Sequence, residues 1–298
     1  MKTIPHPILA IAAVWLLAAP TAAGQVSPFQ SEARPLGLEP IAPVMLRGTD
    51  EASRSFLIND LPTLESLVDE RLAEGVALED APLMRFDPSR LVLEHETRVR
   101  VYFLGEGAGY RNSFGFFKPD VMPGDAVSLG PDNGFLVFPD ASTSASYFDQ
   151  QLSGRRTSQA PLLPGDYVDL GLYPAGSALL PFLIPNGANG NSEVYTSDVS
   201  QNSDGLQHVV ALGTGHSGQL LLGFEDLPGG GDLDYNDLVA VIEIGQKNIT
   251  SLPEAVVVPT PPAMIGGGVI LLGLVLQRSR WRRASRTYER GLRKWGVR

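Results

Sequence analysis

The chain has 298 residues, no cysteine and a formal net charge of −10. Without cysteine there is no disulfide framework, no thiol catalysis and no thiolate metal site. The charge is segregated: residues 24–277 hold 32 acids against 13 bases, and the last 21 residues hold nine bases against one acid. So acidic a body repels nucleic-acid phosphates, which excludes a nucleic-acid partner, and it suits divalent cations.

The first residues have the three parts of a secretory signal. Lys2 gives a positive start, Ile8 to Ala19 are apolar but too few to span a bilayer, and Thr21-Ala22-Ala23 offers the small residues of a cleavage site. A signal peptide over 1–23 is expected, with export as its consequence. Residues 24–54, rich in Pro, Ser and Glu, read as a flexible leader. A short helical segment is placed within 55–90. Leu61, Leu64, Leu67, Val68 and Leu72 follow helical spacing there, with Glu65, Asp69 and Glu70 on the other faces.

From residue 91 the period changes to two. Val99, Val101 and Phe103 alternate with Arg98, Arg100 and Tyr102, as on a half-buried sheet. Further strands are predicted at 114–117, 126–129, 134–138, 167–172, 178–184, 207–212, 219–224 and 238–244, separated by Gly/Pro/Asn/Asp turns. Many short strands without alternating helices predict an all-β fold, an antiparallel β-sandwich or jelly roll, over 91–246. Phe114, Phe116 and Phe117 are read as core. Glu106 and Asn112 flank a Gly-Ala-Gly-Tyr turn and are read as fixing it.

The densest polar cluster runs from Gly223 to Asp237 between two predicted strands. Gly229, Gly230 and Gly231 permit backbone conformations closed to other residues. Asp232, Asp234 and Asn236 at alternate positions can converge hard oxygen ligands, with Asp226 and Asp237 able to add more. Calcium accepts six to eight such oxygens in irregular geometry, so calcium is the expected cofactor. An EF-hand is rejected: position six of that register is Asp237 rather than glycine, and Glu243 at position twelve falls in a strand-like run. A solvated turn capped by its own Asp and Asn side chains is the competing reading.

This loop resembles the signature of the domain of unknown function 4114, a module of bacterial surface and secreted proteins. The resemblance extends to Val99–Asn112, Leu180–Ile184 and Gln207–Val210. It implies a β-rich extracellular module with a suspected calcium role and no established reaction.

The other end of the chain carries a second membrane signal. A linker over 247–262 contains Val258-Pro259-Thr260-Pro261, an apolar run over 263–277 is expected as a transmembrane helix, and 278–298 is a basic tail. The charge step puts the tail in the cytoplasm and the body outside. The motif, the short apolar helix and the arginine cluster together resemble the PEP-CTERM class of sorting signals, although Thr260 stands where that motif has glutamate and the tail is longer than usual. The resemblance implies an exosortase-type sorting enzyme and an association with exopolysaccharide or biofilm matrix.

Catalysis is not expected. The histidines are His6, His95, His208 and His216, without paired ligand spacing, and there is no Gly-x-Ser-x-Gly elbow. A secreted glycan-acting hydrolase, with Glu106 and Asp226 flanking a glycosidic bond, is one rival. A permanently anchored periplasmic scaffold is the other.

Overall fold

The computed structural model describes residues 25–253, apart from 74, 76–77, 79–84, 126, 145–153 and 216–217. The expected signal peptide, sorting motif, transmembrane helix and basic tail lie outside the described residues. Among those described, no helix is long and apolar enough to cross a membrane.

Helix α1 (Glu51–Ser55) opens on Asp50, whose Oδ1 accepts from the Ser53 N–H at 2.6 Å and so satisfies one of the free amides of the first turn. A π turn over Phe56–Asp60 follows, then α2 (Leu61–Arg71). Pro62 is the physical cause of the π turn. Its ring cannot sit over the carbonyl four residues back, and the Leu61 N–H reaches instead to Phe56 O. The helical run therefore starts ten residues before the predicted helix.

Ten strands follow: β1 (Arg85–Phe86), β2 (Thr97–Gly105), β3 (Ser113–Phe117), β4 (Gly134–Phe138), β5 (Tyr167–Tyr173), β6 (Pro181–Ile184), β7 (Tyr195–Thr196), β8 (Val209–Gly213), β9 (Gln219–Phe224) and β10 (Leu238–Glu243). A short helix, α3 (Gln246–Ser251), closes the described chain. They form a six-stranded sheet in the order β1-β8-β9-β10-β2-β5 and a four-stranded sheet β4-β3-β6-β7, and every strand pairing is antiparallel. Val99, Val101, Phe103, Leu222 and Ile242 of the first sheet share one buried cluster with Phe114, Phe116, Phe135 and Val137 of the second. This is a β-sandwich.

Both sheets are also covered on their outer faces. Phe56, Leu61, Leu64, Val68 and Leu72 of the helical run pack on Tyr102, Leu104, Val210, Leu221, Val239 and Val241. Leu38 lies with Phe117, Leu136, Phe182 and Ile184 on the outside of the smaller sheet. Residues buried on both faces explain continuous apolar runs such as Phe135-Leu136-Val137-Phe138, in which period two is lost. The half-buried reading of β2 holds only at its start: Arg98 is exposed, while Tyr102 and Leu104 are buried under the helix.

The leader 24–54 differs from expectation. Val26 pairs with Met45, Pro40 with Leu136 and Met45 with Tyr167, and Leu38 and Val44 are buried. Its few apolar residues have no period, but each fills a specific gap at the sandwich surface. The run predicted as a strand at 126–129 has no strand at its described residues 127–129, and the two-residue strands β1 and β7 were too short to leave a pattern.

Arg100 ties the helix to the sheet. Its guanidinium forks onto Asp50 (2.8 and 3.1 Å) and Asp169 (2.7 and 2.9 Å), and lies 4.2 Å from the Tyr167 ring centre. Tyr167 in turn donates to Asp50 at 2.9 Å. Planar, two-sided recognition of this kind suits arginine and not lysine. Because Asp50 and Asp169 are partly exposed and can be resolvated, Arg100→Ala should cost only about 1–2 kcal/mol. Urea titration of the variant should show that loss, and Arg100→Lys should recover less than half of it.

Candidate metal centre in the β9–β10 loop

β9 and β10 run antiparallel in register, with Phe224 opposite Leu238, so the residues between them are forced out at one end of the sheet. Gly229, Gly230 and Gly231 all have positive φ, and so do Leu233 (66°) and Tyr235 (57°). A left-handed non-glycine residue costs roughly 1–2 kcal/mol, and two of them two positions apart mark a loop held in shape by its surroundings. The consequence is that Asp234, between them, is turned inward and buried.

Three carboxylates converge there. Oxygens of Glu225, Asp232 and Asp234 all lie within 4.8 Å of one another. Glu225 is only 1 % exposed; its Oε1 accepts from the Tyr235 N–H at 3.0 Å, and its Oε2 is buried with no hydrogen-bond partner among the described residues. Burial first, then repulsion from Asp237, Asp234 and Asp232, pushes the Glu225 carboxyl up to about 9. A buried carboxylate oxygen without a donor is costly unless a proton or a cation meets it. The residues present therefore fit a hard cation. Oxygen-only donors in an irregular loop suit calcium better than magnesium, which demands near-octahedral geometry.

Asp226 and Asp237 belong to an adjoining group. Asp226 Oδ2 accepts from Asn112 Nδ2 at 2.7 Å, and Asp237 Oδ2 accepts from the Asp226 N–H at 2.8 Å. Burial together with the charge of Asp226 raises Asp237 to about 7. Glu106 stands beside them, raised to about 8 by burial and by Asp140, Asp226 and Asp237. Its Oε1 accepts from the Thr143 N–H at 3.0 Å, while Oε2 is buried without a hydrogen-bond partner among the described residues. Glu106 and Asn112, read from sequence as turn-fixing residues, thus reach the acidic loop. Asn112 also accepts from the Asn186 N–H at 2.9 Å, which joins the two roles.

Asn236 braces the loop. Its Nδ2 donates to Leu72 O at 3.1 Å and to Asp234 Oδ2 at 3.0 Å, and its backbone N–H donates to Asp234 Oδ1 at 3.1 Å. Of the five residues proposed from sequence, the structure places Asp232 and Asp234 in the triad, Asp226 and Asp237 beside it, and Asn236 behind it. Sequence reasoning missed Glu225. A signal was present, since it is an acid that directly continues six buried strand residues. Glu243 lies in β10, paired with Gln219 and Arg100, and takes no part in the loop. His208 is fully buried, stacked on Tyr195 at 3.5 Å, with Nε2 2.9 Å from Asp204 and Nδ1 3.0 Å from Glu225 O. Asp204 also accepts from the Gly229 N–H at 2.8 Å, so this histidine supports the rim of the loop.

A two-sheet antiparallel domain with an acidic, glycine-rich loop at one end is the class of protein that these features define. Residues 173–245, from the end of β5 through β10, match the family model described as a domain of unknown function, DUF4114. The matched stretch includes the whole acidic loop and stops short of the resemblance noted over Val99–Asn112. No curated protein and no solved structure matches the chain.

Proposed function

We propose that this is a non-catalytic, exported β-sandwich protein that binds calcium in the β9–β10 loop. The observation that carries this reading is the buried, unpartnered Oε2 of Glu225, whose carboxylate converges with those of Asp232 and Asp234. Support for the non-catalytic half comes from the acids themselves: Glu225 accepts from the Tyr235 N–H and Asp237 from the Asp226 N–H, both amides of the loop, and both stand among other acids, as ligand sets do.

Export, and sorting by an exosortase-type enzyme through the C-terminal signal, belong to the same proposal, with exopolysaccharide or biofilm matrix as the surroundings. They are supported by the sequence of the two ends. Intact-mass measurement of the protein from its native host should show loss of residues 1–23 and of the chain beyond the Val258–Pro261 motif. A mass that retains the whole tail would favour the anchored scaffold.

For calcium, melting of the purified protein at neutral pH with calcium and with chelator is the direct test. At free calcium about 100 times the dissociation constant, binding adds about 2.7 kcal/mol, or roughly 5–10 °C for a domain of this size. Glu225→Gln keeps the side-chain shape and should remove most of that rise. An unchanged midpoint in the wild type would sink the calcium reading.

A further inference from the structure

The carboxylate triad and the end of the N-terminal helix are joined by direct bonds. Asn236 Nδ2 donates to the Leu72 carbonyl at 3.1 Å, the Gly75 N–H donates to Asp234 Oδ2 at 2.8 Å, and the Leu78 N–H donates to Leu233 O at 2.8 Å. Leu72, immediately after α2, packs with Val210 and Tyr235, the latter a residue of the loop itself. The start of the helical run is held by a separate set, Asp50, Arg100 and Tyr167.

We propose that the acidic loop is a cation-dependent latch on the N-terminal helix, holding the last turn of α2 on the sheet when its carboxylates are neutralised and releasing it when they are not. This rests on the calcium reading above and adds its consequence for the rest of the fold. The physical reason is electrostatic. The C-terminal end of a helix carries the negative end of its dipole. Just past the end of α2 the Leu72 carbonyl is bonded by Asn236, which also holds Asp234, while Gly75 lies against Asp234 and near Asp232. Like signs thus meet at the junction, where a carboxylate cluster also repels itself. Opening of the loop to relieve that repulsion takes away Asn236 from the Leu72 carbonyl and Asp234 from the Gly75 amide together. The chain just past the last turn then loses these two ties at once, and the burial of Leu72 on Val210 and Tyr235 with them. Release starts at this end because the opposite end keeps the two-sided Arg100 contact.

Hydrogen exchange of the full-length chain in detergent micelles, in millimolar calcium and in chelator, tests the latch. Amides of Val68–Leu72 should exchange at least about tenfold faster in chelator, while those of Ser53–Leu57 stay within about twofold. Asn236→Ala should show the fast exchange of Val68–Leu72 even with calcium present. Calorimetric titration with calcium separates the two readings. Absence of binding would remove the proposed function and the latch together. Binding without a change at Val68–Leu72, or with an equal change across β9 and β10, would overturn the latch alone, and so would an Asn236→Ala variant that exchanges as wild type in calcium.

Discussion

In chelator, raising the pH from 5 to 9 should lower the melting temperature by about 10 °C, and saturating calcium should abolish most of that fall. Glu225, Asp237 and Glu106 have folded-state values pushed up to about 9, 7 and 8, above those of carboxyls in an unfolded chain. A group raised on folding contributes its full stability below its unfolded value, and that contribution is lost as pH rises through the folded one. The window therefore runs from about pH 4 to about pH 9. Asp50, Asp198 and Asp204 act in the opposite sense. Hydrogen bonds, from Arg100, Gln201 and the Gly229 N–H among others, outweigh desolvation and hold them low, so their contribution is lost as pH falls below about 4. Maximum stability without metal should accordingly lie near pH 5. Because protons and calcium compete for the same oxygens, calcium affinity should rise across the upper window. Melts over a pH series in chelator and in calcium would read both effects. A flat profile in chelator would mean that the buried carboxyls do not carry the charge burden assigned to them.

Gly231→Ala should abolish the calcium-dependent rise and destabilise the protein by about 2–4 kcal/mol. The backbone at Gly231 has φ of +53°, where an alanine is strained, and an added methyl would overlap Oε2 of Glu225. The overlap acts on the very oxygen that the metal reading depends on, and the strain acts on the backbone that holds Asp232 beside it. Either the loop backbone moves away or the Glu225 carboxylate is displaced from Asp232 and Asp234. Gly229→Ala is the informative comparison. It has a similarly positive φ of 84° but meets no atom within 4 Å, so it should carry the backbone strain alone, about 1 kcal/mol, and keep its response to calcium. Equal losses of calcium response in the two variants would show that backbone strain, rather than Glu225, governs the loop.

Much of the sandwich was legible in the sequence. β4 and β9 fall on the predicted residues, and β2, β3, β5, β8 and β10 lie within two residues of prediction at each end, because turn residues bracket short apolar runs and a strand declares itself locally. β6 begins at Pro181 rather than 178, since a proline lacks the N–H that a ladder needs and stands as the first strand residue. The loop was legible for the same local reason: acids at alternate positions after three glycines form a pattern that can be read without knowing the fold.

Partnership across the chain was not legible. Asp50 caps a helix, pairs with Arg100 and accepts from Tyr167, yet in sequence it stands at the end of a stretch that reads as flexible. The leader lacks a period because its apolar residues fill isolated gaps between elements placed elsewhere in the chain, and periodicity reports only a repeated face. Likewise, five acids and amides near one another in sequence looked like one ligand set. The turn at Leu233 and Tyr235 divides them, bringing Asp232 and Asp234 to Glu225, leaving Asp226 and Asp237 with Asn112, and directing Asn236 to the helix. The sandwich and the acidic loop could be read from local patterns alone, and local patterns are also what the proposed signals at both ends rest on. That Glu225 and Asp234 are both buried and converge with Asp232, and that the loop bonds to the end of a helix more than 150 residues away, emerged only from the folded chain. A side chain's partner depends on which strands lie side by side, and that is fixed by the fold as a whole.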